Sequence, residues 1–234
     1  MNLRTKPDFA FANEKANEML ICSEKVQRFP LSVYEIIMDE TDLNLMTFNE
    51  ARNNGIKPEK LGSSSGVLVD LGGFCTLLYN ERESRQRISF DCAHELGHYQ
   101  LNHDLKELDR LLHEDQNLHR SLYDVCEIEA NFFAAQLLMP EQVIIELCNR
   151  GCRITKEFLQ EKFGVSEQAA IKRLDTLRKV YNWNSCRKNN KNNYDDIIIK
   201  KFKSFIVSVA PNRYTYEEEY EMELAMQKER DSWI

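Results

Sequence analysis

Three residues in the stretch 89–102 (SFDCAHELGHYQLN) have the types and spacing to do chemistry: His94, Glu95 and His98. In a helix, residues four apart stand one turn above each other on the same face. His94 and His98 then present two imidazoles to one point, the bite a tetrahedral Zn²⁺ takes. Glu95 sits one position round, within reach of a water on such an ion without ligating it. Phe90, Ala93, Gly97 and Leu101 follow the 3, 4, 7 spacing of a buried stripe, and Ile88, Cys92, Leu96 and Tyr99 form a second. The helix is therefore expected to be buried nearly all round. Gly97 in its interior costs about 1 kcal/mol relative to Ala, which close approach of another backbone or of substrate would explain. The competing reading of two His and a Glu here is a set of hydrogen-bonded core residues.

A catalytic zinc site takes three protein ligands and keeps one position for water. All five histidines fall between His94 and His119, so His103, His113 and His119 are candidates for the third. The spacing H-E-x-x-H-x-x-G-x-x-H is not met, because Leu101 stands at its Gly and His103 comes one residue early. A carboxylate fits better. A capping-box start at Ser121 to Asp124 predicts a helix over 123–139 (YDVCEIEANFFAAQLLM), ending before Pro140. Glu127 and Asn131 are four apart on it, on the side of Ala130, Ala134 and Leu138. The alanines allow close packing that brings Glu127 to the metal, with Asn131 placed to orient a ligand. Glu129 points to the other side and is expected in solvent, and an ordinary surface charge is the competing reading of Glu127.

These two stretches, AHELGHYQLNH and EIEANFFAAQLLMP, resemble the ImmA/IrrE-type zinc metallopeptidases. That pattern is H-E-x-x-H, a variable linker, then E-x-x-A-N-x-F-A-x-x-L-L-M-P; Phe133-Ala134 and Leu137-Leu138-Met139-Pro140 match its later part. Two linked motifs are far more specific than the first alone. The resemblance spans roughly 89–140. It implies His94, His98 and Glu127 as zinc ligands and Glu95 as the catalytic carboxylate. It also implies a cytoplasmic protease that cleaves a helix-turn-helix transcriptional repressor, often encoded beside it, and so relieves repression.

The elements that must hold these residues follow from the rest of the chain. Helices are predicted over 9–22 and 31–38, the second with Pro30 in its first turn, and a strand over 43–48. Strands 67–71 and 74–79 flank Gly72-Gly73, a hairpin signal. Residues 76–80 are the candidate strand for aligning substrate by edge pairing. The charged connector 103–120 reads as a rim of the cleft, and 141–148 as a further helix. Residues 155–180 resemble a helix-turn-helix unit with Ser166 as N-cap and Lys172, Arg173, Arg178 and Lys179 on the second helix. DNA binding and simple packing on the peptidase are the two readings of that unit, and packing is preferred. Residues 181–193, with six Asn, read as a linker. Residues 196–209 alternate only briefly, and 215–230 read as an acidic helix for docking or partner recognition.

The expected architecture is α+β: a zincin-like metallopeptidase core, with a small sheet packed on the HExxH helix and its Glu-bearing partner, then a helical C-terminal part. The boundaries are 1–150 for the peptidase, 151–180 for the helix-turn-helix-like subdomain, and 181–234 for the linker and docking segment. With 42% apolar and 29% charged residues the composition is that of a soluble protein, and the net charge of −7 argues against broad nucleic-acid binding. Seven cysteines follow no disulfide or zinc-finger spacing; Cys92 and Cys126 read as small buried hydrophobes. No apolar run approaches a membrane span, so the protein is expected in the cytoplasm. In the favoured mechanism zinc-assisted peptide hydrolysis uses Glu95 as the base, and Tyr99 and His103 are candidate second donors to the oxyanion. The rival is a non-proteolytic antirepressor or DNA-binding factor with a structural or vestigial metal site.

Overall fold

The computed structural model describes residues 6–61, 63–103, 118–180 and 194–210, together with residues 220, 224 and 226–228. The chain is α+β, mostly helical, with one three-stranded sheet among these residues. Phe9–Cys22 (α1) starts where Asp8 accepts the Phe11 N–H through its side chain at 3.0 Å. Its far end is closed by Lys201, whose ammonium donates to the carbonyls of Leu20, Ile21 and Ser23, groups a helix C-terminus leaves without partners. The second helix, Val33–Glu40 (α2), is capped by Ser32, so Pro30 lies before it and not in its first turn.

Strand Asn44–Thr47 (β1) runs into helix Phe48–Asn53 (α3) through a capping box between Thr47 and Glu50. Strands Gly66–Leu71 (β2) and Phe74–Tyr79 (β3) form the expected hairpin. Gly72 and Gly73 both have positive φ, which a tight two-residue turn requires. The strand order is β1-β3-β2, with β1 parallel and β2 antiparallel to β3. Residues 76–79 thus lie in the central strand, hydrogen-bonded on both sides, and are not available to pair with a substrate; the sheet's two edges belong to β1 and β2, and β2 is the one that packs beside α4.

Arg85–Gln100 (α4) packs between this sheet and the long helix Leu118–Leu138 (α5), which α1 covers from the other side. Helix α5 begins before the predicted start at Ser121. Pro140 caps Glu141–Asn149 (α6). Lys156–Phe163 (α7) and Glu167–Val180 (α8) follow, then Asp195–Lys201 (α9) and Lys203–Val209 (α10). Residues 196–209 are therefore two helices and not a linker: Ile198, Phe202 and Ile206 are buried, and Phe29 stacks against Phe163, Phe202 and Phe205. Among the described residues one hydrophobic cluster takes side chains from α1 to α10, and a smaller one joins Phe48, Ala51 and Leu78. The connector 104–117, the Asn-rich stretch 181–193 and most of the acidic segment 215–230 lie outside the described residues.

The junction between α8 and the metal-side helices is polar and buried. Arg173 is 1% exposed; its Nε donates to the Met139 carbonyl at 3.0 Å and its terminal nitrogen to Gln136 Oε1. Gln136 in turn donates to Asn17 at 2.8 Å and to Gln142 at 3.0 Å, which ties α1, α5, α6 and α8 together. A residue counted among the basic side chains of a DNA-reading helix is instead an internal strut. Lys172, Arg178 and Lys179 remain exposed.

Candidate metal centre

Helix α4 is capped by Ser84, which accepts the Arg87 N–H at 3.2 Å. Two turns further on, the four-residue spacing brings His94 Nε2 and His98 Nε2 to 3.0 Å. Glu127, on α5, faces them: its carboxylate oxygens lie 3.5 Å from His94 Nε2 and 3.3 Å from His98 Nε2. Donor atoms about 2.0–2.1 Å from a shared tetrahedral ion stand roughly 3.3 Å apart, and the three observed separations bracket that value. Two imidazoles and a carboxylate are the donor set of a catalytic zinc site, and they fit. Among the described residues this is the one group of His, Cys, Asp or Glu whose donor atoms converge in this way.

Electrostatics bind the three together before any ion arrives. Burial alone would raise the Glu127 carboxyl, but hydrogen bonds and charge from His94 and His98 hold it well below the usual carboxylate range. His94 is lowered by burial and raised by more than that through Glu127 and Glu95, for a net upward shift. Glu95 is buried and its carboxyl is raised, chiefly by desolvation, against the pull of His94 and His98. It takes no part in the ligand triangle. Its Oε2 accepts the backbone N–H of Leu68 at 3.2 Å.

That bond shows which way β2 faces. Leu68 turns its N–H away from β3, so by strand alternation Gly66, Leu68 and Asp70 direct backbone groups outward. Outward is an open cleft of about 2940 Å³ that also holds His94, His98, Glu95 and Glu127. A Cβ on Gly66 would stand in ordinary contact with Asp91 Cβ at 3.4 Å and Glu95 Cγ at 3.6 Å, so strand and helix pack closely here without depending on the glycine. Helices α5 and α8 also line the cleft, with Tyr123, Ile128, Phe132 and Ile171 as apolar side chains beside the polar Lys172, Thr176 and Lys179.

The remaining predicted site residues are placed differently. Asn131 lines the cleft, but its amide donates to the backbone carbonyl of Glu127 at 2.6 Å and not to a ligand side chain. Tyr99 does not line the cleft; it packs on the core, raised by burial and by the nearby Asp42 and Cys75. His103 is buried behind His98, with Nδ1 2.9 Å from His98 Nδ1. Burial and the neighbouring His98 push it down. Neither ring is placed to donate to an oxyanion in the cleft. Glu129, expected in solvent, is 2% exposed and lies 3.0 Å from His103 Nε2. His113 and the side chain of His119 lie outside the described residues.

Two features escaped the sequence reading. Glu129 was missed because a helix position facing away from one partner says nothing of a second partner, here α1. Arg87, on the cleft wall, pairs with Asp91 at 2.8 Å and donates to Ser65 Oγ at 3.2 Å; a four-residue Arg–Asp spacing was the available signal.

A family model described as Peptidase_M78, IrrE N-terminal-like domain, matches residues 56–175, just over half of the 234-residue chain. The matched span contains β2, β3, α4, α5 and the whole ligand triangle. No curated protein matches the chain. The chain belongs to the IrrE N-terminal-like domain family, and that membership points to a metallopeptidase-type function.

Proposed function

We propose that this member of the family is a zinc-dependent endopeptidase with a zincin-like core, and that its substrate is a helix-turn-helix repressor whose cleavage relieves repression. One observation carries the catalytic part: a buried, non-ligating carboxylate, Glu95, sits beside three converging donors in a cleft bordered by the outer edge of β2. A purely structural metal site has no use for such a carboxylate. Zinc at His94, His98 and Glu127 supplies Lewis acidity, which polarises a carbonyl and makes water acidic enough to attack near neutral pH.

The chain's own residues do the rest. The outward carbonyls of β2 align an extended substrate segment by accepting its backbone N–H groups, since the outward N–H groups of Gly66 and Leu68 are already bonded to Ser63 and Glu95. The apolar side chains of α5 and α8 receive those of the substrate and exclude water. Glu95, with its carboxyl raised by burial, accepts the proton of the attacking water and returns it to the departing amine. The Leu68 N–H fixes the carboxylate's position while this happens.

The repressor as substrate rests on the resemblance and on the family. Helix α8, which lines the cleft, is the element best placed to select it. Against direct DNA binding stands the burial of Arg173. The test is incubation of the purified protein with the helix-turn-helix repressor encoded beside its gene, with zinc, with a chelator, and with Glu95→Gln. Cleavage fragments that need both zinc and Glu95 are expected. Relief of repression without any fragment would replace the protease by a binding antirepressor.

A further inference from the structure

We infer that His103 and Glu129 form a positioning pair for His98, setting the tautomer that leaves its Nε2 free to hold a metal. The inference rests on the zinc reading of His94, His98 and Glu127. Its geometry begins at the end of α4. The N–H of Asn102 bonds to the Tyr99 carbonyl at 3.1 Å, and that of His103 to the His98 carbonyl at 3.0 Å. This pair of bonds is a Schellman ending. It needs a left-handed residue, supplied by Asn102 at φ 54°; Asn tolerates that conformation better than other side-chain-bearing residues. The ending folds the chain back so that His103 lies against His98, the residue five positions earlier.

The proton assignment follows from the carboxylate end. Glu129 accepts through both oxygens. Oε1 takes the backbone N–H of Asp8 at 2.5 Å, and Oε2 stands 3.0 Å from His103 Nε2. A carboxylate has no proton to give, so His103 carries its proton on Nε2. In the neutral ring Nδ1 is then a bare acceptor. His98 Nδ1 lies 2.9 Å from it and must be the donor. His98 thus carries a proton on Nδ1 and turns Nε2 towards His94 and Glu127, so the Nε2 position is the one a metal would take. With His103 neutral, the four groups in series, from the N-cap residue of α1 to His98, admit one arrangement. The side chains of His103 and Glu129 are 5% and 2% exposed, so water does not supply an alternative partner. Partners of this kind hold a ligating imidazole in orientation and raise its basicity.

The experiment uses the full chain. In the parent, nitrogen-15 NMR of labelled histidines should report a proton on His98 Nδ1 and a proton on His103 Nε2, with His103 Nδ1 bare. Zinc affinity, measured by competition with a chromophoric chelator, should fall about 10- to 100-fold in His103→Leu. His103→Gln offers an acceptor to His98 and a donor to Glu129, and should recover most of that loss. The melting temperature of the metal-free proteins separates positioning from packing. A drop in zinc affinity that simply tracks lost stability, with Gln no better than Leu, overturns the proposal. So does a parent in which His98 Nδ1 carries no proton, a measurement that holds even if His103→Leu does not fold. If the parent binds zinc no better than His94→Ala, the metal reading itself fails. If the parent binds tightly and His103→Leu binds equally well, only the positioning role fails.

Discussion

Gly97 and Ala130 meet backbone to backbone. A Cβ placed on Gly97 would stand 3.2 Å from both the Cα and the carbonyl oxygen of Ala130, and 3.1 Å from the Phe133 ring. This contact sets the spacing of α4 and α5, and so the distance across which Glu127 reaches the histidines. The small residues at the crossing are what bring donor atoms of two helices to one point.

Gly97→Ala should therefore destabilise the protein although Ala is the better helix former. Propensity favours the change by about 1 kcal/mol, while overpacking against a backbone that cannot rotate aside costs typically 1–3 kcal/mol. A net loss of up to about 2 kcal/mol corresponds to a melting temperature lower by up to roughly 8 °C in a chain of this size. Zinc affinity should weaken as well, since the helices separate along the line joining Glu127 to His94. An unchanged or raised melting temperature would show that the crossing has slack.

The local half of the site was legible in the sequence, and the packing half was not. Helical spacing alone placed His94 above His98, and Gly97 correctly announced a close approach. The hairpin turn was legible because Gly72-Gly73 answers a strict backbone requirement. Which of its strands would be the edge was not, because that depends on where β1 adds. Glu129 shows the same limit: its backbone partner Asp8 is 121 positions away, and nothing near Glu129 records it. Arg173 reads as a surface cation by composition, and becomes a strut only once α8 closes over Gln136 and Met139.

Arg173→Ala tests that strut. It opens a void and strips partners from the Met139 carbonyl and Gln136, effects that together cost about 2–4 kcal/mol. Exposed Lys172→Ala should stay within about 0.5 kcal/mol of the parent. Chemical denaturation of the two variants measures the difference. Equal midpoints would mean that α8 is not held by this network, and would return Arg173 to the list of residues free to contact a partner.

Thiol chemistry reads burial beside the site. Burial, with Asp91 and Glu95 nearby, pushes the Cys92 thiol up to about 12. Alkylation needs the thiolate, so at pH 9 only roughly one Cys92 in 10³ is reactive even before access is considered. Cys22 is exposed. Native alkylation at pH 9 followed by peptide mapping should label Cys22 and spare Cys92, which becomes reactive on unfolding. Rapid labelling of Cys92 in the native protein would contradict the packing of α4 against the sheet.

Glu95→Gln separates chemistry from assembly. The amide oxygen of Gln can still accept the Leu68 N–H, so the strand contact survives the change. Removing a buried carboxylate whose ionisation is opposed by desolvation does not weaken the fold. No ligand is lost, so zinc content should match the parent. Proteolysis, however, should fall by about 10² to 10⁴-fold, the range for loss of a positioned general base. His98→Ala removes a ligand at the centre of the triangle, and Glu127→Ala removes the third; each should lose zinc and activity together. Metal content by elemental analysis and cleavage of the repressor by mass spectrometry form the pair of measurements. Glu95→Gln that kept parental cleavage would place the base elsewhere in the cleft. Glu95→Gln that lost zinc along with activity would make Glu95 part of the metal's support, and the division between the two neighbours on one helix turn would have to be redrawn.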